Sequence, residues 1–141
     1  MSPKINNDPK PYMVKPDEGV NGFDASVKAS RISTGGAFTL IESHTKGGAP
    51  LHVHSREDEY MYVTKGSIIV NCGEEVFKAG QGSFIFLPRN IPHSWDVDGD
   101  IAGILIMTVP AMLEEFLSEF HNAGSKDARN EVAAKYGITF F

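Results

Sequence analysis

The sequence predicts an all-β domain, a sandwich or barrel of short antiparallel strands, followed by two short C-terminal α-helices. Three observations carry this expectation. Short runs rich in Val, Ile, Tyr, Phe and Thr follow one another from Gly22 to about Val109. Turn residues separate them at hairpin spacing. Beyond Val109 the apolar period changes from that of a strand to that of a helix.

Taken in order, residues 1–21 hold Pro3, Pro9, Pro11 and Pro16 and read as an extended arm or short edge strand, since proline fixes φ and removes a backbone donor. Residues 22–109 are the barrel. Gly36 to Lys46 contains Ala-Phe-Thr-Leu-Ile-Glu-Ser-His; further runs cover Tyr60 to Thr64, Ser67 to Asn71, Glu75 to Lys78, Ser83 to Leu87, Ser94 to Val97 and Ile101 to Val109. Gly66, Asn71-Cys72-Gly73, Ala79-Gly80 and Asp98-Gly99-Asp100 punctuate them. Residues 110–141 form a helical segment. Pro110 suits the first position of a helix, and Met112, Leu113, Phe116, Leu117 and Phe120 share one face opposite Glu114, Glu115 and Glu119. Gly124 stops it; Ser125 caps a second helix that runs to about Tyr136 and ends at Gly137. The two helices are expected to lie across an outer face of the barrel.

Composition excludes several classes of function. A chain of 141 residues, 41% hydrophobic, is one domain with a real core. Its net charge of −5 is dispersed and no basic cluster tracks phosphates, so nucleic acid is not an expected partner. Cys72 is the single cysteine, which fits a reducing compartment. The amino-terminal stretch is polar, and no run approaches the ~20 apolar residues of a membrane span. The expectation is a cytoplasmic protein with no membrane partner.

The chemistry is concentrated in two segments, His52-Val53-His54-Ser55-Arg56-Glu57-Asp58-Glu59 and Gly82 to His93. Residues i and i+2 of a strand point to one face, so His52 and His54 project side by side. A bend over Ser55 to Asp58 lets Glu59 return from the next strand, although such a bend can present Glu57 or Asp58 instead. His93 follows the turn Pro88-Arg89-Asn90-Ile91-Pro92 and closes the set from the other side. Three imidazoles and a carboxylate suit one divalent transition metal, Fe, Mn, Ni, Co, Cu or Zn, without choosing among them. The lack of thiolate donors speaks against a closed structural zinc site.

At these residues the chain resembles the cupins, small double-sheet jelly rolls, or double-stranded β-helices. His52-x-His54-x4-Glu59-x6-Gly66 follows the first cupin motif from its first histidine onward, while Gly47 and Gly48 sit closer to His52 than the motif's leading glycine. The six-residue step to Gly66 favours Glu59 over Glu57 and Asp58, which then form a solvated acidic turn. Gly82-x5-Pro88-x-Asn90-x2-His93 follows the second motif, with Asn90 in place of a glycine and Val97 in place of an asparagine. Asparagine also tolerates positive φ, so the first exchange is mild. The resemblance implies His52, His54, Glu59 and His93 as metal ligands. A narrower one, carried by Glu57 to Val63, Phe86 to Trp95, Pro110 with Leu113 to Phe116 and Lys135 to Ile138, is to bacterial single-domain cupins related to quercetin 2,3-dioxygenase. It implies a dioxygenase-type reaction on a small enolic or aromatic substrate, with Glu59 as the catalytic proton acceptor.

Met61 and Val63 share parity with Glu59, and Trp95 with His93, so these are expected inside. Core filling is one reading. The sharper one makes Met61 and Trp95 the lining of a substrate pocket, joined by Phe38 and Phe86. Tyr60 and Tyr62 belong to the other face, and His44 and His121 are structural or exposed. Two further classes of function stay open: a non-catalytic small-molecule-binding module, and a metal-dependent isomerase or lyase, which needs cationic substrate anchors that the inferred interior offers few of. The exposed edges of a small jelly roll favour a homodimer, with the arm before Gly22 free to cross to the partner.

Overall fold

Side-chain alternation decides which way each strand faces. In the computed structural model, which describes residues 8–22 and 25–141, the strands are β1 (Val20–Gly22), β2 (Ala25–Ala29), β3 (Thr39–Thr45), β4 (Ala49–His54), β5 (Asp58–Lys65), β6 (Ser67–Cys72), β7 (Glu75–Gly80), β8 (Phe84–Leu87), β9 (His93–Val97), β10 (Ala102–Val109) and β11 (Ile138–Phe140). A helical turn α1 (Arg31–Thr34) precedes β3, and α2 (Leu113–Asn122) and α3 (Lys126–Lys135) precede β11. The strands form two antiparallel sheets, ordered β1-β2-β3-β10-β5-β8 and β11-β4-β9-β6-β7. This is the expected β-barrel with two short C-terminal helices.

Strand β5 shows how the core is chosen. Glu59, Met61 and Val63 are buried while Tyr62 is half exposed. Met61 and Val63 meet Ile68 and Val70 of β6, Leu87 of β8 and Ile104 of β10 between the sheets. Each such burial contributes about 1.5–3 kcal/mol, and a one-residue slip of any strand would turn its whole set outward. Where β4 begins, Gly48 runs so close to the backbone of Trp95 that a Cβ there would overlap its carbonyl.

The C-terminal segment departs from its sequence reading in two places. Helix α2 begins at Leu113, not at Pro110. The Ala111 N–H bonds the Gly36 carbonyl at 3.2 Å, which holds the link extended against the sheet end. The carboxylate of Glu114 then accepts from the backbone N–H of Arg31 (2.6 Å) and from Oγ1 of Thr39 (3.2 Å), tying the helix start to α1 and β3. The cap of α3 is as expected, with Ser125 Oγ accepting from the Ala128 N–H at 3.1 Å. Past Gly137, however, the chain is not helical. Strand β11 pairs antiparallel with β4, Ile138 opposite His54 and Phe140 opposite His52. A second apolar cluster forms here from Ile41, Leu113, Phe116, Ala133, Tyr136 and Ile138.

Of the N-terminal arm, residues 1–7 lie outside the described region. The rest lies along its own sheet: the Tyr12 hydroxyl donates to the Lys28 carbonyl at 2.7 Å, Lys28 Nζ to the Lys15 carbonyl at 2.9 Å, and Ser26 Oγ to the Glu18 carbonyl at 2.7 Å. No helix among the described residues is long and apolar enough to cross a membrane.

Candidate metal centre

Three strands and a turn bring the three histidines and Glu59 together. His52 and His54 alternate with Val53 on β4 and face inward, and His93 opens β9 directly opposite His52. The turn before His93 depends on Asn90, which adopts φ +68° and donates its N–H to the His54 carbonyl at 2.7 Å. Asparagine thus meets the conformation for which a glycine is otherwise used. Glu59 enters from β5 of the facing sheet. All four side chains are buried, at 7%, 3%, 1% and 5% exposure for His52, His54, His93 and Glu59.

The outer nitrogen of each ring is anchored. His52 Nδ1 lies 2.6 Å from the Pro50 carbonyl, His54 Nδ1 2.7 Å from Glu57 Oε1, and His93 Nδ1 3.4 Å from the Ile91 carbonyl. A carbonyl only accepts, so the ring proton sits on Nδ1 and the Nε2 lone pair turns inward. The His52 and His54 Nε2 atoms are 3.1 Å apart. His93 Nε2 is buried without a hydrogen-bond partner among the described residues, 3.3 Å from Glu59 Oε2, and His54 Nε2 lies 3.9 Å from Glu59 Oε1. Two bare nitrogen lone pairs that close repel unless a proton or cation lies between them. The three imidazoles form one group whose donor atoms all fall within 4.8 Å of one another. The donor set therefore fits a metal ion, and its anchored outer nitrogens are the arrangement that orients metal-binding histidines.

Glu57 is the residue that sequence reasoning misses. Taken as part of a solvated turn, it is instead fully buried, with Oε1 on His54 and Oε2 without a partner among the described residues. The bend at Ser55-Arg56 breaks strand parity, so alternation cannot say which way residue 57 points. The only signal is a carboxylate three residues after a candidate ligand. Asp58 does face outward and pairs with Arg89 at 2.9–3.2 Å.

Burial lowers the pKa of His52 to about 4, against a smaller opposing effect of the Pro50 hydrogen bond. His54 suffers burial as well, but the hydrogen bond to Glu57 and the charges of Glu59 and Glu57 together raise its pKa. Burial would raise the pKa of Glu59; the three histidines outweigh it and the value is lowered. Cys72, opposite His93 on β6, has its thiol pushed up by burial and then by the charge of Glu59.

The His52 shift predicts the acid response of the metal-free protein. The unfolded chain binds this proton below about 6.5, whereas the folded chain resists it down to about 4. Folding stability must therefore fall as pH drops from 6.5 to 4, by an order-of-magnitude 3 kcal/mol. His54, raised, contributes stability that is complete below 6.5 and adds no slope there. Melting temperatures of the metal-free wild type and His52→Gln across this window should differ in slope, the variant being flatter. Parallel curves would refute the assignment.

A cavity of about 470 Å³ opens onto His52, His54 and Glu59, within the usual range for small-molecule sites. Trp95 and Ile106 wall it from the sheets, Leu113, Phe116, Leu117 and Phe120 from α2, and Phe140 from β11. Among its described lining residues there is no lysine or arginine. Of the four side chains expected to line a pocket, the structure places only Trp95 there. Met61 is fully buried in the core between the sheets. Phe86 lies on the outer face, 46% exposed, with its ring 5.1 Å from that of Tyr60, because Ile85 and Leu87 take the inward positions of β8. Phe38 has the outward parity of Leu40 and borders a groove with Tyr12 on the far side of the sheet. Helix α2, expected on an outer face of the barrel, is a wall of this cavity. His44 is exposed, 3.8 Å from Asp17.

Among known proteins, the chain is 23% identical over 112 residues to quercetin 2,3-dioxygenase of Bacillus subtilis (strain 168), covering 75% of this chain. It spans only 33% of the length of that relative. Solved structures share the fold: a Streptomyces nucleoside dehydratase (TM-score 0.58, 16% identity, 75% of this chain and 88% of that one) and KdgF from Halomonas sp. (TM-score 0.57, 16% identity, 64% and 81%). At such identity they speak for architecture alone. The family model of the cupin domain (Cupin_2) matches residues 39–109, half of the chain, from β3 through both histidine segments to the end of β10. The barrel that aims these imidazoles inward is thus the one the family model describes, and the chain belongs to the cupin family.

Proposed function

We propose that this cupin is a metal-dependent oxidoreductase of the dioxygenase type, acting on a small enolic or aromatic substrate. The observation that carries the proposal is the convergence of three anchored imidazoles and Glu59 at the end of an apolar, aromatic-walled cavity. His52, His54, His93 and Glu59 would hold one divalent transition metal (Fe, Mn, Ni, Co, Cu or Zn). Bound there, it supplies Lewis acidity, which makes an enol or phenol hydroxyl more acidic. Glu59 would accept the substrate's proton at its carboxylate oxygen. Trp95, Phe116 and Phe120 exclude water and offer faces to a planar ring. The similarity to quercetin 2,3-dioxygenase supports this reaction class. The lack of a cationic anchor among the described lining residues disfavours the isomerase or lyase reading, because sugar acids and keto acids need such an anchor.

The test pairs elemental analysis of protein purified without a metal-affinity tag with oxygen uptake across a panel of enols. We expect one transition metal per chain and metal-dependent oxygen consumption. Metal with ligand binding but no turnover on any enol would make the protein a binding module. A cytoplasmic setting, suited to a lone buried thiol, and a homodimer belong to the same proposal. The exposed outer face of Tyr62, Phe84 and Phe86 supports the latter; sedimentation showing only monomer would remove it.

A further inference from the structure

One row inside the six-stranded sheet is polar where its neighbours are not. Thr39, Thr108 and Glu59 stand directly opposite one another across β3, β10 and β5, and all three are buried, at 0%, 0% and 5% exposure. The adjacent row is Ile41, Ile106 and Met61. Threonine can stand in a core as a mere shape-match for valine, but a buried hydroxyl without a partner then destabilises the fold. Thr39 has its partner, the Glu114 carboxylate at 3.2 Å. The Thr108 hydroxyl has none among the described residues. Glu59 therefore sits between two buried polar atoms without hydrogen-bond partners, His93 Nε2 toward the facing sheet and Thr108 Oγ1 beside it in its own.

We propose that Thr108 is a positioning residue for Glu59, its hydroxyl the donor that fixes the carboxylate. Directly opposed side chains start from Cβ atoms about 5 Å apart, so rotation of either side chain brings the threonine hydroxyl and the carboxylate within hydrogen-bond reach. A carboxylate that gives one oxygen to a metal needs the other fixed, and Thr108, directly opposite Glu59, is the hydroxyl of this row not already given to Glu114. The consequence for metal binding rests on the reading of Glu59 as a ligand; the link between Thr108 and Glu59 does not.

Two measurements separate these. In metal-free protein, Thr108→Val keeps the shape and removes the hydroxyl. It should lower the melting temperature by about 3 °C in the wild-type background. In a Glu59→Leu background, where the hydroxyl has nothing to hold, the same change should leave the melting temperature unchanged or raise it. Equal shifts in both backgrounds would overturn the proposal. Should Glu59→Leu fail to fold, Co(II) titration decides. Thr108→Val should bind about 10-fold more weakly with an altered visible spectrum, while Thr108→Ser stays within about twofold of wild type. A Thr108→Val protein with unchanged affinity and spectrum makes the residue a core filler. Wild-type protein that binds no Co(II) defeats the metal reading instead, and the metal-free cycle then rules on Thr108 alone.

Discussion

Replacing His93 by alanine should abolish stoichiometric metal binding and, with it, turnover. His93 is the imidazole contributed by β9, separate in sequence from the pair on β4, and its Nε2 has no hydrogen-bond partner among the described residues. Its removal leaves two nitrogens on one strand and a carboxylate on another. The loss in affinity should exceed the 10–100-fold that a supporting residue carries. Thermal melts give a readout free of any substrate. The wild type should be stabilised by added metal, by about 4 kcal/mol when the metal is at 1,000 times its Kd, and the variant should not respond. A His93→Ala protein that gains as much from the metal as the wild type would show that the ion is held elsewhere.

Glu57→Ala should weaken metal binding by about 10–100-fold although residue 57 donates nothing to the ion. The carboxylate fixes the His54 tautomer by accepting from Nδ1 at 2.7 Å. Alanine leaves that N–H buried and unpaired, a cost of about 1–3 kcal/mol in stability. Glutamine keeps an acceptor oxygen, so Glu57→Gln should retain the orientation of His54 and lose only the charge that makes the ring more basic. The expected order of Co(II) or Zn(II) affinity is wild type, then Glu57→Gln, then Glu57→Ala. An alanine variant as tight as wild type would reduce Glu57 to a packing residue.

The strands and the three histidines were legible because their signals are local. Alternation along β5 and β6 sets the core, and the pair His52 and His54 needs only a period of two. Asn90 could be read because its conformational tolerance belongs to the residue itself. What escaped depended on contacts between distant segments. Phe86 and Phe38 have the composition of a pocket wall, yet the register of β8 turns Phe86 outward, and Phe38, just before β3, borders the groove beside Tyr12 instead. The apolar face of α2 was plain in the spacing of Leu113, Phe116 and Phe120, but periodicity does not say what a face will cover. Strand β11 is three residues long, too short for a propensity to register, and it exists because β4 has an open edge. Glu57 escaped because a bend resets the count.

The placement of β11 and α2 orders events during synthesis. The side chains expected to hold the metal are all made by residue 93, and the sheet that carries Glu59 is complete at Val109. The walls of the cavity come afterwards: Leu113 to Phe120, then Phe140 laid beside His52. A chain still emerging from the ribosome thus exposes its imidazoles before it has a chamber around them, and the enclosure is shut by the final strand of the fold.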